Sequence, residues 1–203
     1  MLGKGTHQHP IIPQHQNTMR IIAGRMGGRT IEAPQGHLTR PTTDRTRESL
    51  FNLVQARLPF ADIEVLDLFA GTGALGLEAM SRGAAFTTFV ERKGRVLSFA
   101  RRNAEELGLE EQSLFVKADA VSFLKNYGGP KVDLIMADPP YTLEQMRDLP
   151  ALALPWLKPG GLFTLEHDSY HHFDEHPQLE TSRPYGRTIV SVFNPPTTEE
   201  DGS

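Results

Sequence analysis

Short runs of apolar residues alternate with longer segments of helical spacing between residues 64 and 166. A short apolar run is typical of a buried strand, and recurrence every three or four residues is typical of an amphipathic helix. The predicted strands are Glu64–Phe69, Phe86–Val90, Ser113–Lys117, Val132–Ala137 and Gly161–Glu166, and the predicted helices are Ala74–Arg82, Gly94–Leu107, Ala120–Tyr127 and a segment around Leu143–Leu157. This alternation predicts a doubly wound α/β fold with a mostly parallel sheet between two layers of helices.

Two further strand signals follow this region. Gln178–Ser182 and Thr188–Phe193 are separated by residues 183–187, where proline and glycine predict a turn. Such a short, turn-rich link is typical of an antiparallel hairpin. We therefore expect a seven-stranded sheet that is parallel except at its C-terminal end.

A small unit precedes the sheet. Met19–Ile22 and Thr30–Glu32 flank a glycine-rich stretch and predict a β-hairpin. A helix should follow, with Thr42 or Thr43 as its cap and Pro59 at its end. The chain then divides into four predicted parts: a disordered leader (1–18), an N-terminal hairpin and helix (19–60), the main domain (61–193) and a disordered tail (194–203).

The composition is that of a globular protein. With 203 residues, 38% of them hydrophobic and 23% charged, the chain suits one domain around a single core. No apolar run approaches the ~20 residues that cross a bilayer, and the leader lacks the basic start and apolar stretch of a secretory signal. The absence of cysteine excludes disulfides and thiolate metal sites, and it is compatible with a reducing cytoplasm.

Charge is distributed unevenly along the chain. Residues 19–47 hold six arginines and two acids, a net charge of +4, whereas residues 48–203 hold 14 basic and 23 acidic residues, a net charge of −9. Arginine forks match phosphate oxygens, and a basic surface attracts a polyanion. The first segment is therefore a candidate phosphate-binding surface, although on charge alone a solvated basic face explains it equally well.

The strongest local signal is a glycine-rich loop after the first strand of the sheet. Gly71, Gly73 and Gly76 have the spacing G-x-G-x-x-G, which lets a strand turn sharply into a helix while the backbone approaches a ligand. The spacing alone also fits a nicotinamide dinucleotide. Asp67 favours S-adenosylmethionine, because an acid beside the ligand repels a pyrophosphate and attracts an ammonium and a sulfonium group.

Two more acids stand at the ends of the next strands. Glu91 is placed to accept hydrogen bonds from both ribose hydroxyls, and Asp119 to accept one from the adenine amine, with the N–H of Ala120 as a donor to the ring. The alternative is that such acids only cap the following helices. The predicted cofactor contacts are Asp67, Phe69, Gly71, Thr72, Gly73, Glu91, Arg92, Asp119 and Ala120.

The fourth strand ends in a sequence that suggests the chemistry. Asp138-Pro139-Pro140-Tyr141 forms a rigid corner, since two prolines fix φ and leave carbonyl oxygens available as acceptors. Asp138 and the Pro139 carbonyl could accept the two hydrogens of a planar amine on a base while Tyr141 stacks on the ring. The predicted reaction is an in-line methyl transfer without a metal; the alternative is a simple turn.

Several motifs together resemble the bacterial 16S rRNA guanine-N2 methyltransferase family typified by RsmD. They are Met19–Gly24, Gly28-Arg29, Arg40–Asn52, Leu66–Gly76, Asp138–Tyr141 and Pro184-Tyr185-Gly186, and the likeness covers about residues 19–193. The resemblance implies a Rossmann-like class I methyltransferase that modifies one guanine at N2 in a small-subunit rRNA loop, within a partly assembled or complete 30S particle.

The resemblance also implies a location and a surface for the RNA. Family members are cytoplasmic enzymes. The N-terminal hairpin and the loop at Arg40-Pro41-Thr42 would contact rRNA. The predicted RNA-binding residues are Arg20, Arg25, Arg29, Arg40, Thr42, Arg45 and Arg47. A monomer is expected, since the sequence carries no oligomerisation signal.

Other functions fit parts of the same pattern. Asp-Pro-Pro-Tyr corners also occur in enzymes that methylate adenine N6 in DNA or a glutamine amide in a protein. The arginine-rich beginning disfavours a protein substrate, and the lack of a sizeable sequence-reading domain disfavours DNA. A noncatalytic RNA-binding assembly protein with this fold is an alternative of another class, and a nicotinamide oxidoreductase is a third.

Overall fold

The computed structural model describes residues 18–34 and 44–196. In chain order the strands are β1 (Thr18–Arg20), β2 (Thr30–Glu32), β3 (Glu64–Leu68), β4 (Phe86–Glu91), β5 (Ser113–Lys117), β6 (Val132–Ala137), β7 (Leu157–His167), β8 (Leu179–Tyr185) and β9 (Thr188–Phe193). The helices are α1 (Asp44–Gln55), α2 (Ala74–Arg82), α3 (Gly94–Leu107), α4 (Ala120–Lys125) and α5 (Leu149–Ala153), with 3₁₀ turns at Glu110–Gln112, Met146–Asp148 and Leu154–Trp156.

The predicted seven-stranded sheet is confirmed, with the strand order β5-β4-β3-β6-β7-β9-β8. The first five strands in this order are parallel, and β9 is antiparallel to both β7 and β8. The chain leaves β3 toward β4 and β5 on one side and later returns to β6 on the other. Ligands bind at such a reversal of strand order, beyond the carboxyl ends of the strands.

Helices cover both faces of the sheet, as the alternating pattern predicts. On one face, α1, α2 and α3 pack against a core that includes Val65, Phe89 and Met136. On the other face, α4 and α5 pack against a core that includes Leu66 and Ile135. Because side chains alternate along a strand, neighbouring residues of β3 and β6 belong to opposite cores.

The N-terminal hairpin lies lengthwise along α2 and α3. A Cβ atom at Gly24 would be 2.0 Å from the carbonyl oxygen of Ser81, so the hairpin turn contacts the last turn of α2 directly. The buried carboxylate of Glu78 accepts hydrogen bonds from the N–H groups of Ile22 and Ala23, at 2.6 and 3.0 Å. Since α2 runs from the carboxyl edge of the sheet to its amino edge, the hairpin turn lies at the amino edge.

Two elements differ from the predictions because of proline. The segment predicted as one helix around Leu143–Leu157 is broken into the short α5 and two flanking 3₁₀ turns. Pro150 lies in the first turn of α5, and Pro155 lies in the 3₁₀ turn Leu154–Trp156. A proline inside a longer helix would remove a hydrogen bond and clash with the preceding turn. The strand β8, by contrast, continues through Pro184 to Tyr185, which is possible because β8 is an edge strand.

The remaining boundaries shift slightly. The strand β1 begins at Thr18, within the predicted leader, and β7 begins at Leu157, four residues before the predicted strand. Residues 194–196 extend beyond β9 without regular structure, while most of the predicted leader, the candidate caps Thr42 and Thr43, and residues 197–203 lie outside the described residues. Across the described ranges, no helix is both long and apolar enough to cross a membrane.

Candidate active site

The carboxyl ends of β3 and β6 bring two aspartates to the same face of the sheet. In the parallel register Asp67 pairs with Met136 and Leu68 with Ala137, so that Asp138 follows on the face shared by Asp67 and Met136. The negative charge of Asp138 contributes to the raised pKa of Asp67, as expected of neighbouring carboxyl groups. The two predicted halves of the site therefore lie side by side.

Asp67 is the buried acid of the pair. Its side chain is 1% exposed and accepts a hydrogen bond from the N–H of Gly76 at 2.9 Å. Burial is the main cause that raises the pKa of Asp67 from 3.8 to about 7; the hydrogen bond from Gly76 opposes the rise, and the charges of Asp138 and Glu91 contribute to it. Asp67 thus ties the glycine loop to the first turn of α2 and titrates near neutral pH.

The glycine loop between β3 and α2 owes its shape to left-handed backbone positions. Phe69 has φ +59°, Gly71 +58° and Gly73 +82°. A non-glycine residue such as Phe69 rarely adopts this conformation, and such strain is common at ligand sites. A Cβ atom at Gly71 would meet only the carbonyl oxygen of Phe69, at 3.8 Å, so this part of the loop is open to a ligand.

The third glycine has a different role, which is packing. A Cβ atom at Gly76 would lie 2.3 Å from the ring of Phe89 and 2.8 Å from the side chain of Thr87. The backbone of α2 therefore lies directly on β4, and this close approach holds the first turn of the helix beneath the loop.

Glu91 ends β4 next to the glycine loop. Its carboxylate accepts hydrogen bonds from the N–H of Gly71 at 3.2 Å and from the N–H of Lys93 at 2.8 Å. Each carboxylate oxygen retains acceptor capacity beyond one such bond. Glu91 therefore keeps acceptor capacity next to the glycine loop, and its contact with a ribose stays a prediction.

The other predicted cofactor residues occupy varied positions along the same edge. Asp119 caps α4 by accepting a hydrogen bond from the N–H of Ser122 at 2.9 Å, so the helix-capping alternative is correct for one of its oxygens. Ala120 is buried and Arg92 is exposed. Thr72 is 6% exposed and faces the hairpin, with its hydroxyl 3.9 Å from the sulfur of Met19.

The Asp138–Tyr141 segment, predicted as a rigid corner, follows the end of β6 directly. The carbonyl of Pro140 accepts a hydrogen bond from the N–H of Leu143 at 2.9 Å, which closes a turn after the two prolines. Asp138 and Tyr141 are both partly buried, and the Tyr141 hydroxyl lies 3.3 Å from Oγ1 of Thr188 on β9. The ring of Tyr141 thus lies at the carboxyl edge, where it packs against the core that α4 and α5 cover.

The electrostatics of this edge distinguish between the candidate cofactors. Asp67, Glu91 and Asp138 bring three carboxyl groups close enough that two of them raise the pKa of the third. A pyrophosphate would add to this negative charge, whereas an ammonium and a sulfonium group would offset it. The residues present therefore fit S-adenosylmethionine better than a nicotinamide dinucleotide.

Among the described residues, the predicted RNA-binding arginines do not all lie on one surface. Arg25 donates to the side chain of Gln112 at 3.2 Å, and Arg29 donates to the carbonyl of Glu106 at 2.9 Å. Both partners lie close to the end of α3 or the beginning of β5, at the amino edge of the sheet. Since Asp138 is at the opposite edge, Arg25 and Arg29 do not lie beside the predicted target site, and their contact with RNA stays a prediction.

Arg47 is buried, contrary to the prediction of an RNA contact. Its side chain is 1% exposed, and it donates to the carbonyl of Arg20 and to the carboxylate of Asp44. Burial lowers the pKa of Arg47, an effect that the nearby carboxylates of Glu78 and Asp44 oppose. Arg47 follows the same helical face as the buried Leu50, so its position in α1 already indicated an inward direction.

The remaining predicted RNA contacts are exposed or lie outside the described residues. Arg20 is exposed and forms an ion pair with Asp44 at 2.6 Å, and Arg45 is exposed at the beginning of α1. Arg40 and Thr42 lie outside the described residues.

One residue that supports the site is not among the sequence predictions. Asn103 on α3 is fully buried; it accepts a hydrogen bond from the N–H of Glu32 at 2.8 Å and donates to the carbonyls of Glu32 and Thr72, both at 3.0 Å. It thereby links the hairpin to the glycine loop. The sequence offers one signal for it. Asn103 is a polar residue on the apolar face of α3, next to Ala104 and one helical turn after Ala100, where an apolar core residue is expected.

The sequence is similar to that of a known protein family and of several bacterial proteins. The family described as conserved hypothetical protein 95 matches residues 19–194, a range that includes both the N-terminal hairpin and the sheet. Ribosomal RNA small subunit methyltransferase D of Escherichia coli (strain K12) is 40% identical over 131 residues, which are 64% of this chain and 64% of the relative. The protein of the same name from Haemophilus influenzae is 35% identical over 159 residues, 76% of this chain and 81% of the relative.

A solved structure shares the same architecture. The protein yhhF from Escherichia coli superposes with a TM-score of 0.75 at 31% sequence identity, covering 87% of this chain and 97% of its own. The likeness in structure thus extends over nearly all of that protein.

Proposed function

Because the chain belongs to the conserved hypothetical protein 95 family, as an RsmD-like member with a class I methyltransferase fold, we propose that it is an S-adenosylmethionine-dependent enzyme that methylates N2 of a guanine in bacterial small-subunit rRNA. The observation that carries the proposal is the placement of Asp67 and Asp138 on one face, at the ends of adjacent strands. A methyl donor over the glycine loop would then lie next to an amine held at the corner.

The reaction requires little beyond alignment. S-adenosylmethionine supplies a methyl group on a sulfonium, so that a C–N bond forms as the S–CH₃ bond breaks and S-adenosylhomocysteine leaves. The protein's part is to hold the amine in line with that methyl group, which removes the entropic cost of bringing two reactants together. Asp67, Glu91 and Asp119 provide acceptors along the cofactor side of the edge.

The corner residues act on the amine. Asp138 and the Pro139 carbonyl accept its two hydrogens, which directs the nitrogen lone pair toward the methyl group. Tyr141 stacks on the guanine ring, as aromatic side chains do with unpaired bases. The amine proton becomes acidic only as the N–C bond forms, so Asp138 accepts it late, directly or through one water molecule.

The substrate is a guanine that is flipped out or displayed in a loop, because a base paired in a helix cannot bring its amine into this corner. The names of the relatives support rRNA of the small subunit. We place the enzyme in the cytoplasm, acting as a monomer on rRNA within a partly assembled or complete 30S particle.

Labelling with a radioactive methyl donor tests the proposal. The protein is incubated with S-adenosylmethionine and, separately, with 16S rRNA, 30S particles, duplex DNA or a glutamine-containing protein substrate, and the labelled products are digested and separated. We expect N2-methylguanosine from rRNA or 30S particles. N6-methyladenine from DNA, a methylated glutamine, or no label in any sample would contradict the assignment.

A further inference from the structure

The edge of the sheet that holds the target base needs cations for RNA phosphates, and Arg25 and Arg29 of the hairpin do not supply them there. Arg25 and Arg29 lie at the amino edge, and Arg47 is buried. Phosphate contacts provide much of the affinity in nucleic-acid binding, and they position the substrate relative to the site. Phosphates next to the target base would therefore need cations at the carboxyl edge itself.

Four exposed basic side chains, here called the edge cations, surround the carboxyl ends of β4 and β5. They are Lys93, Arg95, Lys117 and Arg92, the last of which the sequence predicts as a cofactor contact. Lys117 ends β5 directly opposite Glu91 in the parallel register. Its side chain lies over the beginning of α3, where a Cβ atom added to Gly94 would be 3.3 Å from the Lys117 Cδ and Cε atoms and 3.7 Å from Nζ.

The edge cations have no acidic partner within the described part of the chain. None of them belongs to an ion pair there. The acids nearest to them along the chain are Glu91 and Asp119. Glu91 accepts hydrogen bonds from the backbone N–H groups of Gly71 and Lys93, and Asp119 accepts one from that of Ser122. The surface is thus a local concentration of positive charge in a region of the chain that is acidic overall.

These cations are also not placed to stabilise the fold. The first turn of α3 contains no acidic residue, and Arg95 lies within it. A cation near the beginning of a helix is disfavoured by the helix dipole. Their exposure at this edge is better explained by an external polyanion than by an internal contact.

We propose that the edge cations bind backbone phosphates of the rRNA next to the target nucleotide. The inference rests on the proposed function and deepens it by assigning a second phosphate-binding surface, separate from the hairpin. The neighbouring strands of a sheet are about 4.8 Å apart, so β4 and β5 lie two and three strands from β6 in the observed order. A strand of RNA that crosses this edge can therefore place one guanine at Asp138 while its flanking phosphates contact the edge cations.

A double substitution tests this assignment without touching the proposed cofactor or target contacts. Lys93→Gln with Arg95→Gln removes two edge cations, and Lys125→Gln with Lys131→Gln is the matched control, since it removes two exposed cations at the opposite edge. Binding of a 16S rRNA fragment is measured against salt concentration for the wild type and for both variants. Because each lost phosphate contact lowers the slope of log K against log salt by roughly 0.7 to 0.9, we expect the slope of the edge variant to fall by about 1.5 and that of the control to stay unchanged.

Kinetics separate this inference from the proposed function. In the edge variant we expect KM for rRNA to rise about tenfold, with kcat and the affinity for S-adenosylmethionine unchanged. If the wild type methylates rRNA but the edge variant has the salt slope and the KM of the control, the edge-cation proposal is overturned and the proposed function stands. If the wild type methylates no rRNA, the proposed function fails first, and this inference fails with it.

Discussion

The glycine loop follows β3 and the Asp-Pro-Pro-Tyr corner follows β6, and these two strands are adjacent and parallel. Asp67 near the end of β3 and Asp138 directly after β6 face the same side of the sheet. The two acids are used differently. Asp67 is 1% exposed and accepts a hydrogen bond from the backbone N–H of Gly76 in α2, whereas Asp138 is partly buried at the edge. Asp67 thus has a structural role at the end of β3, and Asp138 is the acid that we expect the substrate to contact.

Replacing Asp138 with alanine should have the largest effect on the reaction. An acceptor for the amine hydrogens and for the departing proton is lost, so we expect methyl transfer to rRNA to fall by about 10³-fold. Binding of S-adenosylmethionine, followed by calorimetry, should remain within about twofold of wild type, because the glycine loop is intact. Asp148→Ala, which removes an exposed aspartate a few residues along the chain, is the matched control; equal rates for the two variants would show that Asp138 has no role in transfer.

Asp67→Asn should instead change how stability depends on pH. The folded pKa of Asp67 is raised to about 7 from an ordinary value of 3.8, so the folded protein binds this proton more tightly than the unfolded chain. The corresponding stability is fully present below pH 3.8 and is lost as pH rises to about 7. The free energy of unfolding of the wild type, relative to that of the Asp67→Asn variant, should therefore fall by up to about 1.4 kcal/mol per pH unit within this window.

Urea unfolding of both proteins between pH 5 and pH 8 measures this difference. Asparagine keeps an oxygen that can accept the hydrogen bond from Gly76 N–H, so the variant should fold. Above the pKa of about 7 the difference should level off. Parallel stability curves across the whole range would mean that Asp67 titrates normally and is not the buried, structural member of the pair.

Gly76→Ala tests whether the third glycine of the motif serves packing, in contrast to Gly71, which is open to a ligand. The added Cβ would lie 2.3 Å from the ring of Phe89, and overpacking of this kind costs about 1–3 kcal/mol. We expect the midpoint of thermal unfolding to fall accordingly. Gly128→Ala is the control, because a Cβ atom there would have no neighbour within 4 Å; equal stability of the two variants would contradict the close contact of α2 with β4.

Much of this comparison could be predicted from the sequence, because its signals are local. Asp67 lies near the end of a short apolar strand, and the glycine loop and the Asp138–Tyr141 corner each follow such a strand. The carboxyl ends of parallel strands meet at one edge of the sheet, so the sequence places these features together. Residues whose roles depend on distant partners could not be predicted in this way. Asn103 contacts Glu32 and Thr72, which are 71 and 31 residues away along the chain, and no local pattern links them.

The arginines show where a charge count fails. Six arginines before the sheet suggest one basic surface, but charge says nothing about direction. Arg47 follows the buried face of α1, and the hairpin carries Arg25 and Arg29 to the amino edge. Helical spacing could have removed Arg47 from the predicted RNA contacts. The direction of the hairpin, by contrast, is known only from the contact between Gly24 and α2 in the structure.

Substitutions of Tyr141 should have the smallest effects and separate two functions of one side chain. Tyr141→Ala removes the ring, and loss of stacking on a base is worth about 1–3 kcal/mol, so kcat/KM for rRNA should fall about ten- to a hundredfold. Tyr141→Phe keeps the ring and removes the hydroxyl, which contacts Oγ1 of Thr188 at 3.3 Å. We expect that variant to stay within about threefold of wild type, because a neutral, partly exposed hydrogen bond contributes little. If Tyr141→Phe were as impaired as Tyr141→Ala, the role of Tyr141 would belong to its hydroxyl, and the corner would then hold its substrate by hydrogen bonds alone.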